Sequence, residues 1–479
     1  MVSFTPLSAA LLSVFSFFPV AIAEHWAVIV AGSNGYSNYR HQSDACHAYH
    51  VVRRHGIPAE NVVLMMYDDV AWHEHNPYPG QLFNKPTTKN ASHGDVQPVD
   101  VYKGCEIDFR GVEVTPETFL NVITGNSSGA FNKKVLNSTA EDRVFINFID
   151  HGSRDNIYFP NMKPLTAARL KRAMRTMHDK KMYKELVFYM EACESGSMFS
   201  NSFLKSINAY VTTAANGFES SWAAYCPPQD EVNGERIGSC LGDLYSVNWM
   251  EDSDLTDLSG ETLTTQFRRV KNATTKSHVK ELGLKRLSHE IVGNYQSTYD
   301  KNGSNGDESD SESDSDDSDT LPTAAITTSS VESTVDARDV DLVVAFYRYL
   351  RAAPGKDRRE IAEELTETIQ ARESADEVFE TIKALYEQQS KAPLLQVEEP
   401  KNVKCHDEVT RTFETSCSFT GGLTSYSLKY VGTLMDLCES NLEQDAVVAI
   451  VRNACMVIKN RHSIMATRGV VNTNVAMMD

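Results

Sequence analysis

A thiol and an imidazole each stand at the end of an apolar run in this sequence, a combination that suits nucleophilic catalysis. Cys193 ends the run 187–193, and His151 follows the run 143–150. Apolar runs bounded by turn residues are typical of strands buried on both faces of a parallel sheet. Because the carboxyl ends of parallel strands share one edge of the sheet, we expect the two side chains to meet there. The imidazole can then generate a thiolate from a thiol whose ordinary pKa is near ~8.5.

The elements that must position these residues follow from the spacing of the apolar residues. Strand-like runs cover 25–33, 61–67, 143–150, 187–193 and 207–213, and helical patterns cover 43–54, 115–125 and 166–181. The second helical pattern opens with Thr115-Pro116-Glu117, which is a helix start signal. Strands that alternate with helices predict an α/β fold, a mainly parallel sheet with helices on both faces.

Six longer stretches surround these two residues and run through most of positions 25–295. They are D-H-G-S at 150–153, E-A-C-E-S-G-S at 191–197, A-G-S-N-G-Y-S-N-Y-R-H-Q-S-D-A-C-H-A-Y at 31–49, M-M-Y-D-D at 65–69, T-T-A-A-N at 212–216 and W-M-E-D-S-D at 249–254. In this order they resemble the legumains, the asparaginyl endopeptidases of the caspase-like clan of cysteine peptidases. The resemblance implies a caspase-like sheet flanked by helices.

The residue chemistry and the resemblance together give catalytic roles. Cys193 is the expected nucleophile, and His151 is the expected general base and then the acid toward the leaving amine. The backbone N–H groups of Gly152 and Cys193 are the expected oxyanion donors. The family's third catalytic position is Asn38 here, whose amide would orient the imidazole; without the resemblance it is equally typical of a turn. The resemblance also implies that Asp150 can form a succinimide.

Selectivity for asparagine needs a pocket that donates to the carboxamide oxygen and accepts from its NH₂ group. The family's pocket positions are occupied here by Arg40, His41, Glu191, Ser220, Ser221 and Asp243. A cation beside two carboxylates supplies both functions, although each residue alone is more typical of a surface charge or a structural salt bridge. Trp222 and Tyr225 are expected to shape the substrate channel. Aspartate should enter such a pocket only when acid protonates it.

Nine cysteines, an odd number, leave at least one free thiol, as a nucleophile requires. The last four allow three pairings, and the resemblance to legumain prodomains implies Cys405–Cys438 and Cys417–Cys455. Cys226 and Cys240 resemble the pair that closes a loop in plant legumains. Neither C-x-x-C nor H-x-x-x-H spacing recurs, so we expect no metal and no cofactor.

Residues 1–23 are expected to be a signal peptide, because an apolar segment ends in the pattern Ala21-Ile22-Ala23. A short membrane anchor is the alternative, but about 17 residues that include a proline are marginal for spanning, and we expect no other membrane span. Entry into the secretory pathway predicts glycosylation at the sequons Asn90, Asn126, Asn137, Asn272 and Asn302. The formal net charge of −19 argues against nucleic acid as a partner. We expect a secreted, vacuolar or lysosomal protein.

Residues 299–335 are expected to be an acidic, disordered linker, because 302–320 contain no apolar residue to offset the entropy of ordering. The linker separates a peptidase domain, 24–298, from a helical domain, 336–479. Apolar residues in the latter form successive helical faces at 342–350, 361–369 and 378–385, followed by helices at 425–441 and 443–460. By resemblance this is the legumain prodomain, an intramolecular inhibitor. Without the resemblance, an unrelated helical interaction module is the preferred interpretation.

The leading interpretation is an acid-activated zymogen of an asparaginyl endopeptidase that acts through a thioester. Its expected partners are peptides with asparagine at the cleaved position and its own prodomain, and Asn302, Asn305 and the aspartates of the acidic run are candidate activation sites. Hydrolysis and peptide ligation share the thioester, so both stay open.

Two alternatives compete with this interpretation. The nearest is the catalytic subunit of GPI transamidase, which ordinarily carries a C-terminal membrane span that 456–479 lack. A catalytically inactive storage or receptor homologue is the other, and the intact Cys193, His151 and pocket charges argue against it.

Overall fold

The computed structural model describes residues 23–88, 97–298, 331, 333–397 and 401–467. Its strands are β1 (His25–Ala31), β2 (Val62–Met65), β3 (Arg143–Ile149), β4 (Gly152–Ser153), β5 (Asn156–Phe159), β6 (Lys163–Thr166), β7 (Glu185–Glu191), β8 (Ala209–Thr213), β9 (Trp222–Ala224), β10 (Glu231–Val232), β11 (Glu235–Arg236), β12 (Gly242–Asp243), β13 (Lys280–Gly283) and β14 (Val335–Asp336). Its helices are α1 (Tyr39–Arg54), α2 (Pro116–Ile123), α3 (Ala167–Asp179), α4 (Asn201–Ser206), α5 (Leu244–Leu255), α6 (Leu263–Ala273), α7 (Gly293–Gln296), α8 (Val340–Arg351), α9 (Lys356–Ser390), α10 (Val403–Ser416), α11 (Val431–Cys438) and α12 (Gln444–Thr467).

Six strands form the central sheet in the order β13-β8-β7-β3-β1-β2. Neighbouring strands are parallel except β13, which runs antiparallel to β8. Every residue of β1, β3 and β7 is buried, which explains their nearly unbroken apolar sequences. The predicted mainly parallel sheet is therefore confirmed.

Helices cover both faces of this sheet. On one face, α1 and α5 contribute Val51 and Trp249 to a core that includes Ile29 of β1. On the other face, α2 and α3 contribute Phe119 and Leu170 to a core that includes Val28. Successive residues of one strand thus supply opposite cores, as the alternation of side chains along a strand requires.

Local capping chemistry sets where some of these helices begin. The hydroxyl of Thr115 accepts a hydrogen bond from the backbone N–H of Thr118 at 3.1 Å, and Pro116 is the first helical residue of α2. This cap confirms the helix start predicted from Thr115-Pro116-Glu117.

Helices α9 to α12 form a second core. Val378 of α9, Phe413 of α10, Leu434 of α11 and Val451 of α12 pack together in it. The second and third apolar faces in the sequence belong to one continuous helix, α9, which has 35 residues. Residues 370–377 contain neither glycine nor proline, so nothing in the chain interrupts the helix between those faces. Helix α10 was not among the predicted elements.

Four disulfides are present in the described residues. Two of them, Cys405–Cys438 and Cys417–Cys455, lie in the helical domain, and Cys226–Cys240 closes a loop of the peptidase domain. These three are the pairs that the resemblance implied. The fourth, Cys46–Cys105, was not anticipated, and it leaves Cys193 as the free cysteine.

Several sequence predictions fall outside the described residues: nearly all of the signal peptide, the sequons Asn90 and Asn302, and 299–330 of the linker. The sequons Asn126, Asn137 and Asn272 are exposed, as glycosylation requires. Among the helices described here, none combines the length and apolar character needed to cross a bilayer.

Candidate active site

His151 and Cys193 lie on neighbouring loops at one edge of the sheet. Ile149, the last residue of β3, is the register partner of Glu191, the last residue of β7, and each functional residue follows two positions later. The loops touch: a Cβ added to Gly152 would lie 2.2 Å from the carbonyl oxygen of Cys193. Only glycine fits there, so its absent side chain permits this approach of the two loops.

The imidazole of His151 is held by Asn38. The side-chain Nδ2 of Asn38 donates to the carbonyl oxygen of Asn34 at 2.9 Å, which turns its Oδ1 toward His151 Nε2, also at 2.9 Å. Nε2 therefore carries the proton, and Nδ1 keeps the lone pair of a base. Burial, together with the charges of Arg40 and Arg338, lowers the pKa of His151 and keeps the ring neutral.

The thiol of Cys193 is buried beside Ser221. The backbone N–H of Ser221 donates to Sγ at 3.4 Å, and its Oγ lies 3.7 Å from the same sulfur. Burial raises the pKa of Cys193 against the opposing charge of Arg338, so this state holds a thiol. No hydrogen bond joins this thiol to the imidazole in the part of the chain that the structure describes, and such contacts often tighten only when substrate binds.

A charged pocket lies next to these loops. Arg40 Nε donates to Asp243 Oδ1 at 2.8 Å, and Ser246 donates its N–H and its hydroxyl to Glu191 Oε2, each at 3.0 Å. His41 contacts both sides, with Nε2 3.5 Å from Asp243 Oδ2 and Nδ1 3.3 Å from Asp150 Oδ1. All of these side chains are at least nine-tenths buried.

Three buried atoms on the side of Arg40 have no hydrogen-bond partner among the described residues: Arg40 Nη2, Glu191 Oε1 and Asp243 Oδ2. Asp150 Oδ1, beyond His41, is a fourth. Burial and the charge of Asp243 raise the pKa of Glu191, and burial raises that of Asp243 against the opposing charge of Arg40. One donor and two acceptors on the side of Arg40 are thus held out of water without a hydrogen bond. An unpaired buried polar group is costly, so such a set is typical of a binding site.

The other predicted site residues lie around this pocket. Ser221 is buried against Cys193, whereas Ser220 is half-buried, and no hydrogen bond within the described residues joins it to the pocket charges. Asp150 is buried, its carboxylate lies close enough to the His151 N–H to accept from it, and burial raises its pKa. That amide nitrogen is the one a succinimide at Asp150 would use.

His41, Asp150 and His151 also form a trio whose potential ligand atoms all lie within 4.8 Å of one another. Burial, together with the nearby charge of Arg40, lowers the pKa of both histidines. The same positive charge opposes the binding of a metal cation, so the donor set fits a divalent metal poorly.

Sequence reasoning missed two supporting residues. Ser246 holds Glu191, as described above. Asp44 accepts the backbone N–H of Asp243 at 3.0 Å and the amide of Asn84 at 2.6 Å. Asp44 stands four residues after Arg40 in α1, a spacing that places both on one helix face and could have indicated it.

A segment of the C-terminal region lies in the cleft. Strand β14 pairs antiparallel with β9, with Val335 opposite Ala223 and Asp336 opposite Trp222. The next N–H, that of Ala337, donates to the carbonyl oxygen of Ser221 at 3.0 Å. Since the N–H of Ser221 points to Cys193 Sγ, the segment passes directly beside the thiol.

Arg338 follows in the same segment and is almost fully buried. Its guanidinium donates to Glu194, the residue after Cys193, at 3.1 Å, and to the carbonyl oxygen of Gly152 at 3.4 Å. Neither the strand nor this arginine was anticipated from the sequence.

Comparison with known proteins identifies the family. The Peptidase C13 family profile matches residues 25–298, and the profile of the legumain prodomain matches residues 363–455. The chain belongs to the C13 family. It is 37% identical to mouse (Mus musculus) legumain over 440 residues, which are 90% of this chain and 93% of that protein.

Other relatives agree. The chain is 38% identical to human (Homo sapiens) legumain over 423 residues, 87% of this chain and 89% of that protein. It is 35% identical to the vacuolar-processing enzyme of Citrus sinensis over 450 residues, 91% and 85% of the two chains. The protein is thus a cysteine-type peptidase with an intramolecular prodomain.

Proposed function

We propose that this peptidase cleaves after asparagine through a thioester and is made as a zymogen that its own C-terminal region inhibits. The unpartnered atoms of the pocket carry the proposal: Arg40 Nη2, Glu191 Oε1 and Asp243 Oδ2. An asparagine carboxamide has one acceptor oxygen and two N–H donors, which is the complement of that set. Ser220, Ser221 and His41 complete the pocket in this proposal.

The chemistry uses the two strand-end residues. His151 Nδ1 takes the thiol proton, and Cys193 Sγ attacks the main-chain carbonyl carbon of the asparagine residue. The N–H groups of Gly152 and Cys193 stabilise the resulting oxyanion. The imidazolium then gives its proton to the leaving amine, which departs and leaves the thioester. Water releases the acid, and a peptide amine in its place gives ligation.

Selectivity between asparagine and aspartate should depend on pH. An ionised aspartate offers no donor and meets Glu191 and Asp243, whereas a protonated one imitates the carboxamide. Because a free aspartate titrates near ~3.9, its cleavage should grow as pH falls from 7 to 4. The kcat/KM ratio for paired Asp and Asn peptides on activated enzyme measures this. A ratio that stays flat or rises with pH contradicts the pocket.

The inhibited state rests on the segment 335–338. By its register with β9, Ala337 takes the position of the cleaved residue, since its N–H bonds to Ser221 beside the thiol. A methyl group satisfies none of the three unpartnered pocket atoms, so the segment occupies the cleft without being a substrate. Ala337→Asn should therefore create a self-cleavage site before Arg338, which mass spectrometry detects. A chain that stays intact there, while exogenous asparagine peptides are cleaved, contradicts this register.

Acid should favour opening of the zymogen. Burial and the charges of Arg40 and Arg338 lower the pKa of His151, so a protonated His151 repels Arg338. A histidine whose pKa is lowered in the closed state makes that state less stable as pH falls below the ordinary histidine value, ~6.5. Glu194 has the opposite effect on the closed state. Burial raises its pKa to about 7, so its protonation makes the closed state more stable as pH falls. The acidic compartment proposed is a vacuole or lysosome, and the name of the vacuolar-processing enzyme among the relatives supports the vacuole.

The decisive experiment incubates the full-length protein with an asparagine peptide at pH 5 and at pH 7 and follows both chains by mass spectrometry. Cleavage after asparagine that thiol alkylation blocks supports the proposal. No cleavage at either pH favours an inactive homologue, and exclusive transfer of the acyl group to an added amine favours a transamidase.

A further inference from the structure

Arg154 lies on the side of the cleft beyond Glu194 and is buried beneath α11. Its guanidinium donates to Asp436 through its two terminal nitrogens, Nη1 to Oδ1 at 2.5 Å and Nη2 to Oδ2 at 3.2 Å. Both side chains are about nine-tenths buried. A two-pronged arginine–carboxylate pair is the geometry by which proteins recognise a carboxylate group.

Helix α11 carries Asp436 and lets Arg154 approach it closely. Gly432 lies one helical turn before Asp436, and a Cβ on it would come within 2.6 Å of Arg154 Nη2. The missing side chain lets the guanidinium lie flat against the helix and reach Asp436. Nearby Leu428, Val431 and Met435 pack with Tyr158, so the charged pair sits beside an apolar contact.

Arg154 also faces open space. A cavity of about 840 Å³ lies between the peptidase domain and the helical domain, and Arg154 and Phe218 line it on the peptidase side. The guanidinium carbon stands 5.9 Å from the centre of the Phe218 ring. When α11 leaves, the guanidinium is left on the floor of a cleft large enough for several peptide residues.

The order of groups along this cleft gives the substrate position. The segment 335–338 passes Cys193 at Ala337, and the next residue, Arg338, donates to Glu194. The backbone N–H of Arg154, in turn, faces the carboxylate of Glu194. A peptide that follows the same path meets Glu194 with the first residue after the cleaved bond and Arg154 with the second or third.

We propose that Arg154 is a specificity-determining residue of the activated enzyme, which binds a carboxylate two or three residues after the cleaved bond, and that Asp436 imitates this carboxylate in the zymogen. The inference rests on the proposed asparaginyl endopeptidase. The carboxylate can come from an acidic side chain or from the C-terminus of a short substrate. Both sources present the same two oxygens to the guanidinium.

The test uses full-length protein after acid activation and peptides with asparagine at the cleaved position. One series carries Asp, or Ser as the neutral match, at each of the first four positions after the bond, with an amidated C-terminus. A second series keeps neutral side chains and ends in a free carboxylate. We expect kcat/KM to be about 5-fold higher with Asp than with the neutral match at the second or third position, a gain typical of a partly exposed ion pair. High salt should remove most of this gain.

Variants assign the effect to the residue. Arg154→Gln should reduce the Asp/Ser ratio to about one, whereas Arg172→Gln, which removes an exposed charge on α3, should retain it. A ratio near one in the unaltered enzyme, or a preference that survives in Arg154→Gln, overturns the inference.

A binding measurement separates this inference from the proposed function. Fluorescent peptides that carry only the residues after the bond contain no asparagine to cleave, and their anisotropy reports affinity alone. Tighter binding of the Asp version by the unaltered enzyme, lost in Arg154→Gln, supports the inference even where asparagine peptides resist cleavage. Equal affinity of the Asp and Ser versions overturns it.

Discussion

The two ends of β7 hold buried glutamates in opposite circumstances. At the amino end, Glu185 accepts from Arg143 at 3.1 Å and from Arg286 at 2.8 Å. Burial works against ionisation there, yet these two arginines hold the pKa of Glu185 below its ordinary value. At the carboxyl end, Glu191 keeps one oxygen without a partner in the described structure, and burial raises its pKa.

This difference in pairing indicates that Glu185 serves the stability of the fold, whereas Glu191 serves function. A buried carboxylate that is fully paired stabilises the fold, and removing its charge leaves the arginines unpaired. A buried carboxylate that is left half-paired costs stability and persists where a ligand completes it. Substitutions at the carboxyl edge of the sheet should therefore impair catalysis while sparing the fold, and those elsewhere should do the reverse.

Cys193→Ala gives the largest expected effect at the carboxyl edge. The substitution removes the covalent route, so peptide cleavage and self-processing should fall by roughly four orders of magnitude or more. The melting temperature should stay within a few degrees of the unaltered zymogen, because the thiol contributes little to packing. Substantial turnover in the purified variant would show that another group is the nucleophile.

Glu191→Gln and Glu185→Gln test the comparison directly. In Glu191→Gln, the new side chain can keep its oxygen toward Ser246 but then presents an NH₂ to the carboxamide NH₂, so kcat/KM for asparagine peptides should fall roughly 100-fold. Removing the half-paired charge should leave stability unchanged or raise it by about 1 kcal/mol.

The matched variant Glu185→Gln should behave in the opposite way. Its stability should fall by roughly 2 kcal/mol, because Arg143 and Arg286 lose their charged partner. Its kcat/KM should change little, since the residue lies at the far end of the strand. Urea unfolding and peptide kinetics on both variants decide the matter, and equal loss of activity in the two would break the distinction.

The helical domain extends the comparison to a region with no catalytic group. Replacing Cys417 and Cys455 by serine removes a disulfide that joins the end of α10 to α12, which should cost roughly 2–4 kcal/mol of domain stability. The variant zymogen should open, and so cleave asparagine peptides, at a higher pH than the unaltered protein. After activation its kcat/KM should be unaltered, because the domain has left. A changed rate after activation would indicate that the domain contributes to catalysis.

The parts of this arrangement that follow from local chemistry were predictable. Apolar runs that end in His151 and Cys193 predict a shared sheet edge, because parallel register alone brings their loops together. The contacts that depend on distant chain segments were not predictable. Nothing in the residues around Asp436 indicates Arg154, and Ala337 carries no chemical signal, since its role follows from the pairing of β14 with β9. Cys46–Cys105 likewise joins residues whose proximity depends on the fold.

His406 should show the smallest effect, a shift in the pH at which the zymogen opens. It lies on α10, lines the cavity between the domains, and has Nε2 3.1 Å from Glu439 Oε1. Burial lowers its pKa despite the opposing charge of Glu439. The closed state therefore binds fewer protons than the open one, and its stability is complete above the ordinary histidine pKa, ~6.5, and is lost as pH falls below it. His406→Gln cannot be protonated, so its opening should move to lower pH by roughly half a unit. Binding of a fluorescent asparagine peptide, followed from pH 7 to 4 with Cys193→Ala present in both chains, measures the midpoint. An unchanged midpoint would show that His406 does not control opening, and that the groups at the sheet edge, His151 above all, set the pH response.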